Sequence, residues 1–519
     1  MKLRAKLLRF ETRGKYIAFI SKLDAEKLGI YSLDRIILSK GGKEIIAIVD
    51  ITTALVSEGE IGVNEEISRF FGLKLGDEIK ISLAPIPESV EFIRQKILGQ
   101  RLDGKKMKAI VKDVVEKHLS DIEMSAFVTA LHMHGLSIDE AYNLSEAMIA
   151  TGKRLDIKAK VVVDKHSIGG IPGDKTSLLV VPIVAAAGLT IPKTSSRAIT
   201  SPAGTADRME VLAPVNHTID EIKTIVKKAG GCLVWGGALD LAPADDAFIK
   251  IEYPLGIDPL LLPSIMSKKH SIGAKFLVLD LPTGRGSKIK TIGDAHSLSE
   301  QFILLGKKMD MNVSCAITFG EQPLGYYIGP ALEAYEALLT VMNKSRSYDL
   351  IEKSTQLAGM LFEATGKAKP GQGKRLAMDI LKSGKAEKKL REIIALQGGN
   401  EKIKPGDMPI GSYSYNVKAM NEGQVFWIKN ADIVHIARAA GAPYDKGAGI
   451  KLFAKMGDKV KSGQTIMTIY SSNEHKLDNA AKIAEETEFM VIGKSYKEKM
   501  LIDRVPTTVI HKKTFMLER

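Results

Sequence analysis

Between Asp164 and Ser177 the chain reads DKHSIGGIPGDKTS, which gathers Lys165, His166, Ser167, Gly169, Gly170 and Ser177 into one short run. Glycines let backbone N–H groups approach an anion, a following helix presents the positive end of its dipole, and lysine and hydroxyl groups complete the cradle. The chemistry served by such a run is the gripping of phosphate. The same glycines are also what any strand-to-helix turn requires. The run is neither a Walker A sequence nor GxGxxG, which disfavours ATP hydrolysis and dinucleotide binding. A second run, Thr194 to Glu210, reads TSSRAITSPAGTADRME and sets the hydroxyls of Ser195, Ser196, Thr200, Ser201 and Thr205 around Arg197, Ala198 and Ile199. Hydroxyls and a guanidinium match phosphate oxygens and ribose. A Ser/Thr-rich loop by itself is ordinarily just solvated. Two such runs, one apolar helix apart, point to an anion site.

These runs need a frame. An apolar strand at Val161 to Val163 leads into the first run, and the stretch Leu178 to Ile191, broken by Pro182 and Gly188, reads as a buried helix behind it. Strand, loop and helix in that order open an α/β domain. Strand candidates at Phe276 to Asp280 and Val313 to Phe319 continue the sheet, and a helical piece from Pro243 to Ser271 interrupts it. Upstream, short alternating runs such as Glu44 to Val49 predict a small β-rich domain, and from Glu88 the periodicity turns helical, with Ser120 and Glu123 spaced as a capping box. Beyond residue 411 short strands return, and GDKVKSGQTIMTIY has the spacing of paired strands about glycine turns. The expected organisation is α/β overall. It comprises a β-rich domain over 1–88, a helical domain over 89–160 plus about 240–272, a phosphate-binding α/β domain over 161–239 plus 273–410, and an α+β domain over 411–519.

A chain of 519 residues is long enough for several cores and for a cleft between domains. Its 45% hydrophobic and 26% charged residues are those of a compact globular protein. Two cysteines, Cys232 and Cys315, are too few for a disulfide framework and lack CxxC spacing, which fits a reducing cytoplasm. No apolar stretch reaches the roughly 20 residues that span a bilayer. The basic amino terminus lacks an apolar h-region and alternates like a strand, so it is expected to be retained. The net charge of +13 is spread along the chain without a nucleic-acid signature, so an acidic small molecule is the expected partner, with neither nucleic acid nor membrane.

The second run resembles the signature S-x-R-x-x-x-x-x-x-G-T-x-D-x-x-E of the thymidine phosphorylase family, and KHS-x-GG resembles that family's phosphate loop. SIMSKK at Ser264 to Lys269 and FGEQPLGYYIGPALE at Phe319 to Glu333 resemble it too, so the likeness runs in order from about residue 90 to about 500. The family implies a helical domain facing an α/β domain across a cleft, a carboxy-terminal β-hammerhead, and phosphate-dependent cleavage of N-glycosidic bonds. By position Lys165, Ser167, Ser177, Ser195 and Thr205 match its phosphate ligands, and Ser264 and Lys268 its base-side contacts. The arginine with which its nucleoside enzymes grip a pyrimidine is absent from Ile251 to Pro259, and the extra amino-terminal domain resembles that of the family's archaeal branch acting on nucleoside 5′-monophosphates. The resemblance therefore implies AMP, with CMP and UMP, and inorganic phosphate as substrates, in a homodimer or larger homo-oligomer.

Departure of an adenine ring needs a protonated ring nitrogen and hence a general acid. Asp258 is the candidate, because Ile257, Pro259 and Leu260 predict an apolar setting that raises a carboxyl pKa; a solvent-exposed turn aspartate is the plain alternative. His166 is the rival acid. Lys288, within Gly284 to Lys288, is placed to reach substrate from the other wall. No His/Asp/Glu cluster has metal-ligand spacing, so neither a metal nor another cofactor is expected and phosphate serves as co-substrate. A pyrimidine nucleoside phosphorylase, a phosphoribosyltransferase with a magnesium-binding acidic pair, and a binding module are the competing readings.

Overall fold

The computed structural model describes residues 1–12 and 14–494, so the end of the expected 411–519 domain lies outside the described residues. The amino-terminal strands close into a six-stranded barrel. Alternating Leu3, Ala5, Ile36, Leu38, Ala47, Val49, Ile79 and Ile81 fill it, as the period of two in a strand requires. The barrel sits on the helices that follow: Arg35 bonds the His118 carbonyl at 2.6 Å and pairs with Glu123.

Helices Glu88–Ile97, Gly104–Val115, Asp121–His134 and Ile138–Thr151 form a bundle, completed from later in the chain by Pro243–Leu255 and Leu261–Ser271. Ser120 and Glu123 make the capping box that their spacing predicts. Phe127 and Phe248, with ring centroids 5.8 Å apart, join the two parts of the bundle.

The central sheet is parallel, with Val163–Ser167 beside Phe276–Thr283, which pairs in turn with Asn312–Phe319. A single bridge, Val162 to Thr190, continues it to the pair Ile191–Ser195 and Gly231–Trp235. The first strand thus starts later than its apolar residues alone indicate, and Lys165, His166 and Ser167 lie in the strand rather than in the loop. The following helix is Thr176–Ala186, with Leu178, Leu179, Val180 and Val181 buried, and the next strand begins where the apolar stretch ends.

In the carboxy-terminal region two antiparallel sheets surround the helix Asn430–Ala439. Lys459–Val460 and Thr465–Ser471, expected to pair about Gly463, go to different sheets: the first joins Gly423–Ile428 and the second Tyr413–Lys418. Burial of Ile466, Met467 and Ile469 in one sheet outweighs the local turn. Tyr327–Ile328 also crosses over, pairing with Ile450 and Lys451. Among the described residues no helix is long and apolar enough to cross a membrane.

Candidate functional site

The strand Val163–Ser167 ends before Ile168, and the chain then turns through Gly169, Gly170 and Gly173, all at positive φ, into the helix Thr176–Ala186. Buried Lys165 donates to the Thr176 hydroxyl at 2.6 Å, which in turn donates to Asp174 at 2.6 Å. Burial pushes the Lys165 ammonium below its ordinary value, against the pull of Asp174 and Asp280. Asp174 is itself held well below the usual carboxylate range, because Lys165 and Lys353 override its burial. Lys353, on the helix Tyr348–Ala364, is 2.8 Å from Asp280 and 3.7 Å from Asp174. Neither Lys353 Nζ nor Asp280 Oδ2 has an aligned hydrogen bond, so that close contact is Coulombic. Ser177 lies buried in the first turn of the helix, and Ser167 Oγ accepts from the Gly169 amide at 3.4 Å.

The second run leaves the strand Ile191–Ser195 and enters the short helix Thr205–Met209. Asp207 organises it by accepting from the amides of Ala198 at 2.7 Å and Gly204 at 2.8 Å. A Cβ on Gly204 would lie 2.6 Å from backbone atoms of Ser196, Arg197 and Ala198, so only glycine closes this loop. The amides of Ile199, Thr200 and Ser201 have no hydrogen-bond partner among the described residues, and Ser196 and Thr200 are exposed. Two side chains differ from expectation. Arg197 turns its fork to Glu210 at 2.7 and 2.8 Å and stacks 5.0 Å over Trp235, holding Glu210 down at about 2. Ser195 donates to the Val234 carbonyl at 3.1 Å. A guanidinium suits a carboxylate as well as a phosphate, and Glu210 lies in the same run.

Arg208 joins the two runs. It donates to the Ala203 carbonyl at 2.6 Å and to the Asp174 carbonyl, and lies 3.0 Å from buried Glu333. His166 is half-buried, and burial together with Lys269, Lys193, Lys165 and Lys268 holds its imidazole well below the ordinary value. Near neutrality it is uncharged, which removes the ready proton expected of it. Its neighbour Asp164 is buried and takes Lys269 at 2.6 Å.

On the helical side Asp245 receives Ser264 at 2.9 Å and Lys268 at 2.5 Å, while its Oδ1 is buried without a partner. Asp258 is not in the apolar setting predicted for it: its side chain is 45% exposed and lies 3.4 Å from Lys288 Nζ. Gly256, at φ 66°, ends the helix, after which Leu260 is buried and Ile257 partly buried against the bundle core while Asp258 between them is exposed. Burial does push up Glu252, to about 7, with the charge of Asp258 as the next cause, and it pushes up Asp246 as well; Glu252 accepts from the Leu260 amide at 3.2 Å. Lys288 also packs on the first loop, since a Cβ on Gly170 would lie 2.9 Å from its amide nitrogen. Lys288 thus lies between the first loop, at Gly170, and Asp258 on the helical side.

Asp174, Arg208, Asp245, Glu252, Asp280 and Lys353 were not singled out from sequence. Arg208 and Asp174 lie within the two runs, whereas Asp245 and Lys353 look like ordinary helix charges. Metal-ligand spacing was not recognised either, yet Asp113, Glu116 and His118 bring ligand atoms within 4.8 Å of one another beside the barrel. His118 is 3.0 Å from Asp113 there, and the group shares no residue with the loops. A concavity of about 930 Å³ bordered by Lys228, Met342, Arg391 and Leu396 is likewise separate from them.

Residues 159–387 match the glycosyl transferase family a/b domain, residues 90–152 the helical bundle domain of that family, and residues 425–488 the pyrimidine nucleoside phosphorylase C-terminal domain. The AMP phosphorylase of Thermofilum pendens is 46% identical over 505 residues, covering 97% of this chain and 98% of that protein. Those of Thermococcus sibiricus and Thermococcus kodakarensis are 50% identical over 490 and 477 residues, covering 94% and 92% of this chain and 97% and 95% of theirs. The anthranilate phosphoribosyltransferase of Thermus thermophilus superposes with a TM-score of 0.50 at 19% identity, over 59% of this chain and 98% of that one, a likeness of fold alone.

Proposed function

The chain belongs to the AMP phosphorylase family, and we propose that it moves the ribose 5-phosphate of AMP from adenine to inorganic phosphate. It is a phosphate-dependent pentosyltransferase. The C1′–N9 bond breaks with its electron pair going to the base, a bond forms from C1′ to a phosphate oxygen, and an acid supplies a proton to the ring. The products are adenine and ribose 1,5-bisphosphate, and CMP and UMP are further substrates.

The observation that supports the reading is Arg208, whose one guanidinium bonds both anion-gripping runs and so holds their loops side by side, as a pocket for two phosphates requires. A nucleoside enzyme binds one phosphate; a nucleotide enzyme must bind two. Lys165, Ser167, Gly169, Gly170 and Ser177 serve the attacking phosphate together with Ser195 and Thr205. The free amides of Ile199, Thr200 and Ser201 and the exposed hydroxyls of Ser196 and Thr200 serve the nucleotide's 5′-phosphate, with Ala198 and Arg197 shaping the loop through Asp207 and Glu210. Ser264 and Lys268 hold the base, oriented by Asp245. Asp258 is the general acid, and Lys288 binds phosphate from the opposite wall once substrate separates the pair. Closure of the helical domain over the α/β domain aligns the phosphate and keeps water out, which favours phosphorolysis over hydrolysis. No metal or other cofactor enters the reaction, and the working form is a cytoplasmic homo-oligomer.

Release of adenine from AMP is expected only with inorganic phosphate, and adenosine is expected to react about 100-fold more slowly, the effect of losing about two charged hydrogen bonds. Assays of AMP, CMP, UMP and their nucleosides with and without phosphate decide this; equal turnover of AMP and adenosine refutes the nucleotide assignment. Lys165→Met is expected to raise the KM for phosphate about ten- to hundredfold. An unchanged phosphate KM would remove Lys165 from the cradle.

A further inference from the structure

The roles assigned above leave the carboxy-terminal domain idle, yet one of its helices touches both ligand loops. The helix Asn430–Ala439 is pinned in that domain's core by buried Ile433, Ile436 and Ala437. At its start Asn430 donates to the Gly320 carbonyl at 2.9 Å, and its Cβ stands 3.5 Å from where a side chain on Gly286 would begin. Arg285, in the same loop, stacks 4.8 Å over Trp427. These contacts seat the segment that carries Lys288. At the other end of the helix Arg438 donates to the Ile199 carbonyl at 2.8 Å. Just beyond it Lys446 lies 2.9 Å from Glu210, the carboxylate that also holds Arg197.

A peptide unit is planar and trans, so fixing the Ile199 carbonyl toward Arg438 points the Thr200 N–H the opposite way. That amide has no partner among the described residues. A cationic donor on the carbonyl also polarises the peptide and strengthens its N–H as a donor. The ten residues of the helix span about 15 Å, a rigid length between the Lys288 loop and the Ser196 to Ser201 loop.

We propose that the helix Asn430–Ala439 is a strut that sets the spacing of the two ligand loops, with Arg438 as a positioning residue that aims the Thr200 amide at the nucleotide's phosphate. The inference rests on the assignment of residues 196–201 to that phosphate. The ligand loops then depend on the carboxy-terminal domain for their geometry, although Arg438 itself touches no substrate.

The test is Arg438→Ala in the full-length enzyme, read by steady-state kinetics and by amide hydrogen exchange of residues 196–201. The KM for AMP is expected to rise about tenfold or more, the loss of one charged hydrogen bond, with kcat within about threefold and the KM for phosphate little changed. Exchange at 196–201 is expected to accelerate and AMP to protect it less. Arg438→Lys, which keeps the charge and the stem, is expected to fall between alanine and the parent, and it carries the same measurements if alanine lowers Tm. Parental KM for AMP together with parental exchange at 196–201 in a folded variant overturns the strut. If the parent enzyme releases no adenine from AMP, the functional reading fails on its own, and the exchange comparison still scores the strut.

Discussion

Replacing Lys353 with methionine is expected to destabilise the protein by about 3–5 kcal/mol, the cost of breaking a buried ion pair from one side. The ammonium is buried between Asp280, at 2.8 Å, and Asp174, at 3.7 Å, and together with the larger pull of Lys165 it holds the Asp174 carboxyl well below its ordinary range. Methionine keeps the stem and removes the charge, which leaves buried Asp280 without its 2.8 Å partner and Asp174 with Lys165 and Arg208 as its nearby cations. A depressed carboxyl stabilises the fold fully above its unfolded value of about 3.9 and loses that contribution as pH falls through its folded value. Losing Lys353 shrinks that depression, so acid unfolding is expected to begin at higher pH in the variant. Denaturant midpoints and pH titrations of Lys353→Met, with Lys353→Met/Asp280→Asn to restore charge balance, measure the effect. A change under about 1 kcal/mol would show that the carboxylates reach water or another cation.

The two loops were legible because their chemistry is local. Gly169, Gly170, Gly173 and Gly204 sit where positive φ or close backbone approach demands them, and hydroxyls and lysines flank them in sequence. The three-stranded parallel sheet and the bundle helices were legible for a similar reason, since their apolar runs and periods are written in consecutive side chains, whereas the short pair Ile191–Ser195 and Gly231–Trp235 was not read as strands. The charges beneath the loops were not. Lys353 reaches Asp280 across 73 positions, and in sequence it is one more lysine in an amphipathic helix. Asp245 reads as an acid in a first helical turn, a habitual place for one, and only folding brings Ser264 and Lys268 to it. The setting of Asp258 was misread because apolar neighbours in sequence need not be neighbours in space. The turn at Gly256 sends Leu260 into the core and leaves the carboxylate beside Lys288.

That setting sharpens the expectation for Asp258→Asn, which should lower kcat by the roughly 10²- to 10⁴-fold typical of a lost general acid while changing AMP binding less. Asparagine keeps the shape but has no carboxyl proton to give. In the free enzyme Lys288 Nζ is 3.4 Å away, so in the proposed reaction substrate phosphate draws the ammonium off before the Asp258 carboxyl meets the base. The carboxyl with a pKa near working pH is Glu252, at about 7, whose proton is present below that pH and lost above it. Once ionised, Glu252 adds a negative charge to the wall that must receive two anionic substrates, and so opposes their binding. The rate in the parent enzyme is therefore expected to decline as pH rises through about 7, and Glu252→Gln, which stays neutral and can still accept from the Leu260 amide, is expected to flatten that limb without abolishing turnover. A kcat for Asp258→Asn within a few-fold of the parent, with Glu252→Gln inactive instead, would move the acid role to Glu252. The same result with His166→Ala inactive would return it to a histidine that burial and its lysine surroundings keep neutral in the resting enzyme. In either case the donated proton would come from a group whose charge the bound phosphates alter, because adding anions among Lys165, Lys268 and Lys288 raises the proton affinity of every acid around them.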